Sequence, residues 1–141
     1  MADERRQFSV AVVTPDGAAY EGDAVMLVVP GQAGEIGVLA RHAPLVATLR
    51  AGSTRVHLGG TEVLTFATGP GFFKVETDRA LALVDDAVNV NEIDDARAQA
   101  QLDAAQDELA RVDAGASTAD RWQLEQRIKH AQNQLAASGR S

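Results

Sequence analysis

Near residue 86 the chain changes its residue grammar, and no single layer architecture accommodates both halves. All four prolines and ten of the twelve glycines lie before that point, between short β-branched runs. After it there is no proline, the glycines are Gly115 and Gly139, alanine takes over, and apolar residues recur at helical spacing. The fold class this predicts is α+β. A flattened β-sandwich over residues 1–87 is followed by an antiparallel two-helix hairpin over residues 88–141. A hairpin that can be bound or released is the natural seat of regulation.

The first half reads as short strands separated by turn signals every eight to twelve residues, the pattern of a sandwich or barrel. Phe8 to Thr14 alternates, and Pro15-Asp16-Gly17 supplies turn chemistry. Thr54 to Leu58 and Thr61 to Ala67 flank Gly59-Gly60, a pair suited to a tight hairpin turn. Phe72 to Glu76 and Ala80 to Val84 flank Thr77-Asp78-Arg79, a second hairpin. In the second half, Asn91 is expected to cap the first helix and Ser117 or Thr118 the second. Ala98, Leu102, Ala105, Leu109 and Val112 give one seam, and Leu124, Ile128, Ala131 and Leu135 its partner. A second stripe of small residues, Ile93, Ala96, Ala100 and Ala104, is expected to face the sandwich. Asp107–Arg111 and Glu125–Lys129 are spaced as helix ion pairs. So alanine-rich a hairpin is only marginally stable alone, which predicts conditional docking.

Formal net charge is −7, with seven basic and ten acidic residues in 1–85 and six and ten after. No basic stripe is present, which argues against nucleic acid and against direct lipid insertion at an anionic membrane. There is no cysteine, so disulfides, thiol catalysis and thiolate-bound metals are excluded. The charged start, Met1 to Arg6, lacks the apolar core of a leader, and no run approaches the ~18 apolar residues of a span. A chain that stays where it is made is expected.

The search for catalytic chemistry returns nothing: no Walker-type loop, no Gly-x-Ser-x-Gly, no His-Glu-x-x-His. His42, His57 and His130 lie far apart without metal-ligand spacing, and no metal site is expected. His130, beside Lys129 on the second helix, is expected on a solvated face. Glu35, Arg41 and His42 fall in a segment shaped by glycine and proline, Gly34 to Leu45. That segment is either an ordinary strand connection or a docking surface on a rigid loop, where little entropy is lost on binding.

Gly34-Glu35-Ile36-Gly37-Val38-Leu39 with His42-Ala43-Pro44-Leu45, Val28-Val29-Pro30, Gly69-Pro70-Gly71-Phe72 and the sandwich-then-hairpin layout together resemble the epsilon subunit of bacterial F-type ATP synthase. The family has Pro-Gly or a similar pair before the histidine, where this chain has Ala40-Arg41. That puts a residue with a side chain where glycine's freedom is used, and adds a positive charge. The resemblance implies a fold of about ten strands plus the hairpin. It implies a place in the rotor beside the gamma subunit, with Glu35, Arg41 and His42 facing the polar loops of the c-ring.

Ile93-Asp94-Asp95-Ala96-Arg97-Ala98 is similar to the family's Ile/Leu-Asp-x-x-Arg-Ala motif, which in some members helps to bind ATP. Asp94 and Arg97, with Arg121 and Arg127 on the second helix, are the candidates here. Ala104 stands where nucleotide-binding relatives place a further arginine. A helix-terminal acid pairing locally with Arg97 is the competing reading, and the one these residues favour. No cofactor is expected, and ATP is expected to bind weakly or not at all. Arg121, Arg127 and Lys129, joined by Arg140, are the implied contacts to the alpha and beta catalytic subunits when the hairpin extends.

The leading expectation is a non-catalytic central-stalk subunit, peripheral on the cytoplasmic face of the bacterial inner membrane. It would couple gamma to the c-ring and inhibit ATP hydrolysis through the hairpin. The alternative is a free-standing sandwich adaptor associating through a coiled-coil hairpin. An enzyme ranks third and would require a site joining His42 and His57.

Overall fold

The computed structural model describes residues 5–139, so Arg140 lies outside the described residues. Ten strands come first: β1 (Phe8–Thr14), β2 (Gly17–Ala24), β3 (Met26–Gly31), β4 (Gly34–Val38), β5 (Leu45–Leu49), β6 (Gly52–Gly59), β7 (Glu62–Thr68), β8 (Gly71–Glu76), β9 (Arg79–Val84) and β10 (Ala87–Asn89). A 3-10 turn, Val90–Glu92, leads to the helices α1 (Asp95–Asp113) and α2 (Arg121–Ala137). The expected sandwich of ten strands and two-helix hairpin are both present.

The strands run in the order β10-β7-β6-β3-β5-β8-β9-β1-β2, with β4 paired on β3. The sheet folds over on itself where β3 meets β5 through the single pair Gly31↔Leu49. That joint is reinforced by Gln32 N–H donating to Thr48 O at 2.9 Å and Arg50 N–H to Pro30 O at 3.0 Å. Alternation sets which faces meet. Phe8, Val10 and Val12 of β1, Leu27 and Val29 of β3, and Phe73 and Val75 of β8 point inward and are buried. Each such side chain contributes about 1.5–3 kcal/mol of burial. Inside, the Thr54 and Thr68 hydroxyls satisfy each other at 2.9 Å. Gly71 permits a close approach of two backbones, since a Cβ there would stand 1.8 Å from the Leu83 carbonyl oxygen.

The helices begin at later caps than the sequence suggests. Asp94 Oδ1 accepts from Ala96 N at 3.0 Å and Arg97 N at 3.2 Å, capping α1. Asp120 Oδ2 accepts from Gln123 N at 3.2 Å, capping α2. Asn91 instead sits in the 3-10 turn, its N–H donating to Asn89 Oδ1. Several cap-capable residues stand in a row at both sites, and the aspartate whose carboxylate reaches the free N–H groups prevails. Arg111 pairs with Glu108 at 3.5 Å, one residue from the expected Asp107.

The hairpin seam forms as expected, with Ala98 and Ala105 of α1 and Leu124 and Ala131 of α2 buried. Which helix lies on the sandwich is the reverse of expectation. α2 packs over β6 and β7, while Ala96, Ala100 and Ala104 of α1 are exposed and Ile93 is half-buried. A stripe of alanines offers little area to bury, and α2 brings polar groups that find partners on the sheet.

Candidate functional site

The polar groups of hairpin and sandwich converge on one carboxylate. Asp86 lies between β9 and β10, its backbone fixed by Gly69 N–H donating to its carbonyl at 2.9 Å. From α1, the Arg97 guanidinium spans both carboxylate oxygens, Nη2 to Oδ1 at 3.0 Å and Nη1 to Oδ2 at 3.2 Å. Gln101 Nε2, one turn on, donates to Oδ2 at 3.3 Å. From α2, His130 Nε2–H donates to Oδ2 at 2.7 Å. Gln134 Nε2 then donates to Gln101 Oε1 at 2.8 Å, tying the helices to each other behind the carboxylate. His130 is 4% exposed and Gln134 1%, so the expected solvated face for His130 is overturned. A second tie lies farther along, where Ala51 N–H donates to Gln126 Oε1 at 2.6 Å.

Burial alone would raise the Asp86 pKa. The hydrogen bonds from His130 and Arg97 outweigh that and hold the carboxyl far below the usual carboxylate range. A depressed carboxylate stabilises above its unfolded pKa, and that stabilisation is lost as pH falls toward the folded value. Hairpin docking is therefore expected to weaken progressively below about pH 5. Trp122, the sole tryptophan and half-buried on α2, gives the fluorescence signal. The acid component is expected to vanish in Asp86→Asn. An acid titration identical in the two chains would contradict the assignment.

Beside Asp86 is a cavity of about 620 Å³ between sandwich and hairpin. Its charged lining is Asp16, Asp85, Asp86 and Glu108 against Arg97 and Arg127, an excess of carboxylates. Of the nucleotide candidates, Arg97 and Arg127 therefore meet at one cavity. Asp94 instead caps α1, and Arg121 pairs with Asp113 near the hairpin turn. The expected local pairing of Arg97 with Asp94 is replaced by the fork on Asp86. Among the described residues no cluster of three or more His, Cys, Asp or Glu is placed to hold a metal.

The docking candidates are not gathered on one loop. Glu35 lies within β4 and takes a two-point pair from Arg55 of β6, at 3.0 and 3.4 Å. That pairing holds its carboxyl below the usual range. Arg41 and His42 lie beyond the other end of β4. Lys129 lines a separate cavity of about 530 Å³ with Glu35, Arg50 and Asn133, under the second half of α2. Catalytic and apolar patterns in the sequence do not single out Asp86, Gln101, Gln126 or Gln134, and they place His130 on a solvated face. The legible signal was the spacing of Gln126, His130 and Gln134, four residues apart on one face of α2.

A model of the family described as ATP synthase, Delta/Epsilon chain, beta-sandwich domain matches residues 7–90. The chain is 38% identical over 131 residues to the ATP synthase epsilon chain of Halalkalibacterium halodurans, covering 93% of this chain and 96% of that one. It is 34% identical over 131 residues to the epsilon chain of Cyanothece, covering 93% and 94%. In fold it is similar to a chain in the mitochondrial ATP synthase of Euglena gracilis, with TM-score 0.66 and 21% identity over 93% of this chain and 81% of that one. No helix among the described residues is long and apolar enough to cross a membrane. With a matching sandwich and near-full-length relatives, the chain belongs to the epsilon-chain family of F-type ATP synthases, whose members are subunits of that complex.

Proposed function

We propose that this chain is a non-catalytic rotor subunit in which the sandwich, residues 1–87, couples the gamma subunit to the c-ring and the hairpin, residues 88–141, regulates ATP hydrolysis. The observation that carries the switch is the chemistry of the docking contact. The polar ties between hairpin and sandwich are hydrogen bonds on Asp86 and one on the Ala51 N–H. Water can replace such bonds, and each contributes only about 0.5–1.5 kcal/mol net, more where a charge takes part. An interface of that kind holds two states within reach of each other, for partners to bias.

In the docked state Arg127 and Lys129 line cavities against the sandwich. Both, like Arg121, are already exposed when docked. Extension carries Arg127 and Lys129, with Arg121 near the hairpin turn, up to acidic surfaces of the alpha and beta subunits and so blocks rotation in the hydrolysis direction. Arg41 and His42 at one end of β4, with Glu35 at the other, face the c-ring polar loops. The chain needs no cofactor. A triphosphate entering the Asp86 cavity would meet its excess of carboxylates and an Arg97 already engaged, so ATP biases the hinge weakly or not at all. The subunit sits peripherally on the cytoplasmic face of a bacterial membrane.

The absence of cysteine makes a direct test available. Ala51→Cys with Gln126→Cys, bridged by a cleavable bifunctional thiol reagent, pins the hairpin down in the assembled complex. Pinning is expected to raise ATP hydrolysis, and cleavage of the bridge to restore inhibition. Equal hydrolysis in the pinned and cleaved states would refute the switch.

A further inference from the structure

Arg41 is the one non-glycine residue with positive φ among the described residues, at +62°. A side chain makes the left-handed region unfavourable, so a residue persists there only when its surroundings hold it. The hold is visible. Arg41 N–H donates to Asp78 Oδ1 at 3.1 Å, across 37 positions of sequence. Asp78 occupies the two-residue turn between β8 and β9, closed by the pair Glu76↔Arg79. That turn is itself hooked to β1, because Ser9 N–H donates to the Asp78 carbonyl at 3.0 Å. The second carboxylate oxygen of Asp78 faces the Arg6 guanidinium at 3.8 Å.

Residues 39–44 carry the chain from β4, in one layer, to β5, in the other. Ala40 and Leu45 pack against the core on either side of Arg41. Within the bridge His42 Nδ1–H donates to Ala43 O at 2.6 Å, which fixes the ring against its own backbone. Asp78 therefore supplies a tie to the middle of the bridge from a third element, at the residue whose backbone is strained.

We propose that Asp78 is a positioning residue for the c-ring-facing surface: its carboxylate holds Arg41 left-handed and thereby aims the side chains of Arg41 and His42. This rests on the docking role given to that surface under the proposed function. The carboxylate is a stronger acceptor than a neutral group. Its turn is anchored to β1, so the bridge resists displacement through three strands rather than through its own short span. A preordered surface loses less entropy when it docks, and it yields less under load.

The test uses the full chain and the assembled complex. Asp78→Ala is expected to speed hydrogen exchange of the Arg41 amide, read by NMR, by about tenfold, the order of one charge-assisted hydrogen bond. Asp78→Asn keeps an acceptor oxygen and is expected to recover most of the protection. In an Arg41→Gly chain, whose backbone needs no holding, Asp78→Ala is expected to shift the unfolding midpoint much less than in the parent chain. In the complex, Asp78→Ala is expected to reduce proton pumping per ATP hydrolysed. Unchanged Arg41 exchange, or strictly additive effects of the two substitutions on stability, would overturn the positioning role. Faster exchange with pumping per ATP intact would instead sustain the brace and overturn the docking role of the surface.

Discussion

Asp86→Ala is expected to release the hairpin while leaving the sandwich folded. The substitution removes the acceptor for Arg97, Gln101 and His130 at once. It also strands the ring of His130, which is 4% exposed, without its Nε2 partner. Breaking a partly buried, charge-assisted cluster costs roughly 2–3 kcal/mol. That shifts the docked-to-released ratio by about 30- to 140-fold. Amide exchange should accelerate across α2, Trp122 fluorescence should move toward its exposed value, and Phe73 and Val75 in the sandwich core should keep their protection. Asp86→Asn, which still accepts one hydrogen bond but loses the charge, should fall between. Unaltered exchange in α2 would mean that the apolar contact alone holds the hairpin.

The seam at residue 86 was legible because backbone requirements differ on its two sides. Glycine and proline serve turns between strands, and alanine serves close helix packing. Alternation gave the strands for the same reason: Phe8, Val10 and Val12 face the core and Ser9 does not. The choice of docking helix was not legible. Apolar periodicity pointed to Ala96, Ala100 and Ala104, whereas α2 docks through Gln126 and His130, and polar side chains are read as solvent-facing until their partners are known. Asp86 was hidden by distance, since its partners lie 11, 15 and 44 positions away. Asp94 and Arg97 show the converse. The motif was visible, and the structure divides its roles between a helix cap and a tie to the sandwich. Arg41 was flagged as a residue in a glycine's place, and the Asp78 contact that makes it tolerable comes from a turn that carried no such signal.

Removing the hairpin tests the central claim most directly. The cut belongs after residue 92, because β10 runs to Asn89 and pairs with β7, and the 3-10 turn follows it. A chain ending there keeps the whole sheet and loses α1, α2 and every partner of the Asp86 carboxylate. The sandwich should still assemble into the complex, since the surface proposed for the c-ring, Glu35 of β4 with Arg41 and His42 of the β4–β5 bridge, lies wholly before the cut. What disappears is the element proposed to reach the catalytic head. Regulatory couplings of this kind are typically worth 1–3 kcal/mol, so ATP hydrolysis is expected to rise about fivefold or more. The decisive measurement is ATPase activity of the assembled complex containing the full chain against that containing residues 1–92. The account predicts intact assembly with raised hydrolysis in the shortened form. Failure to assemble, or hydrolysis equal to that of the full-length complex, would contradict it.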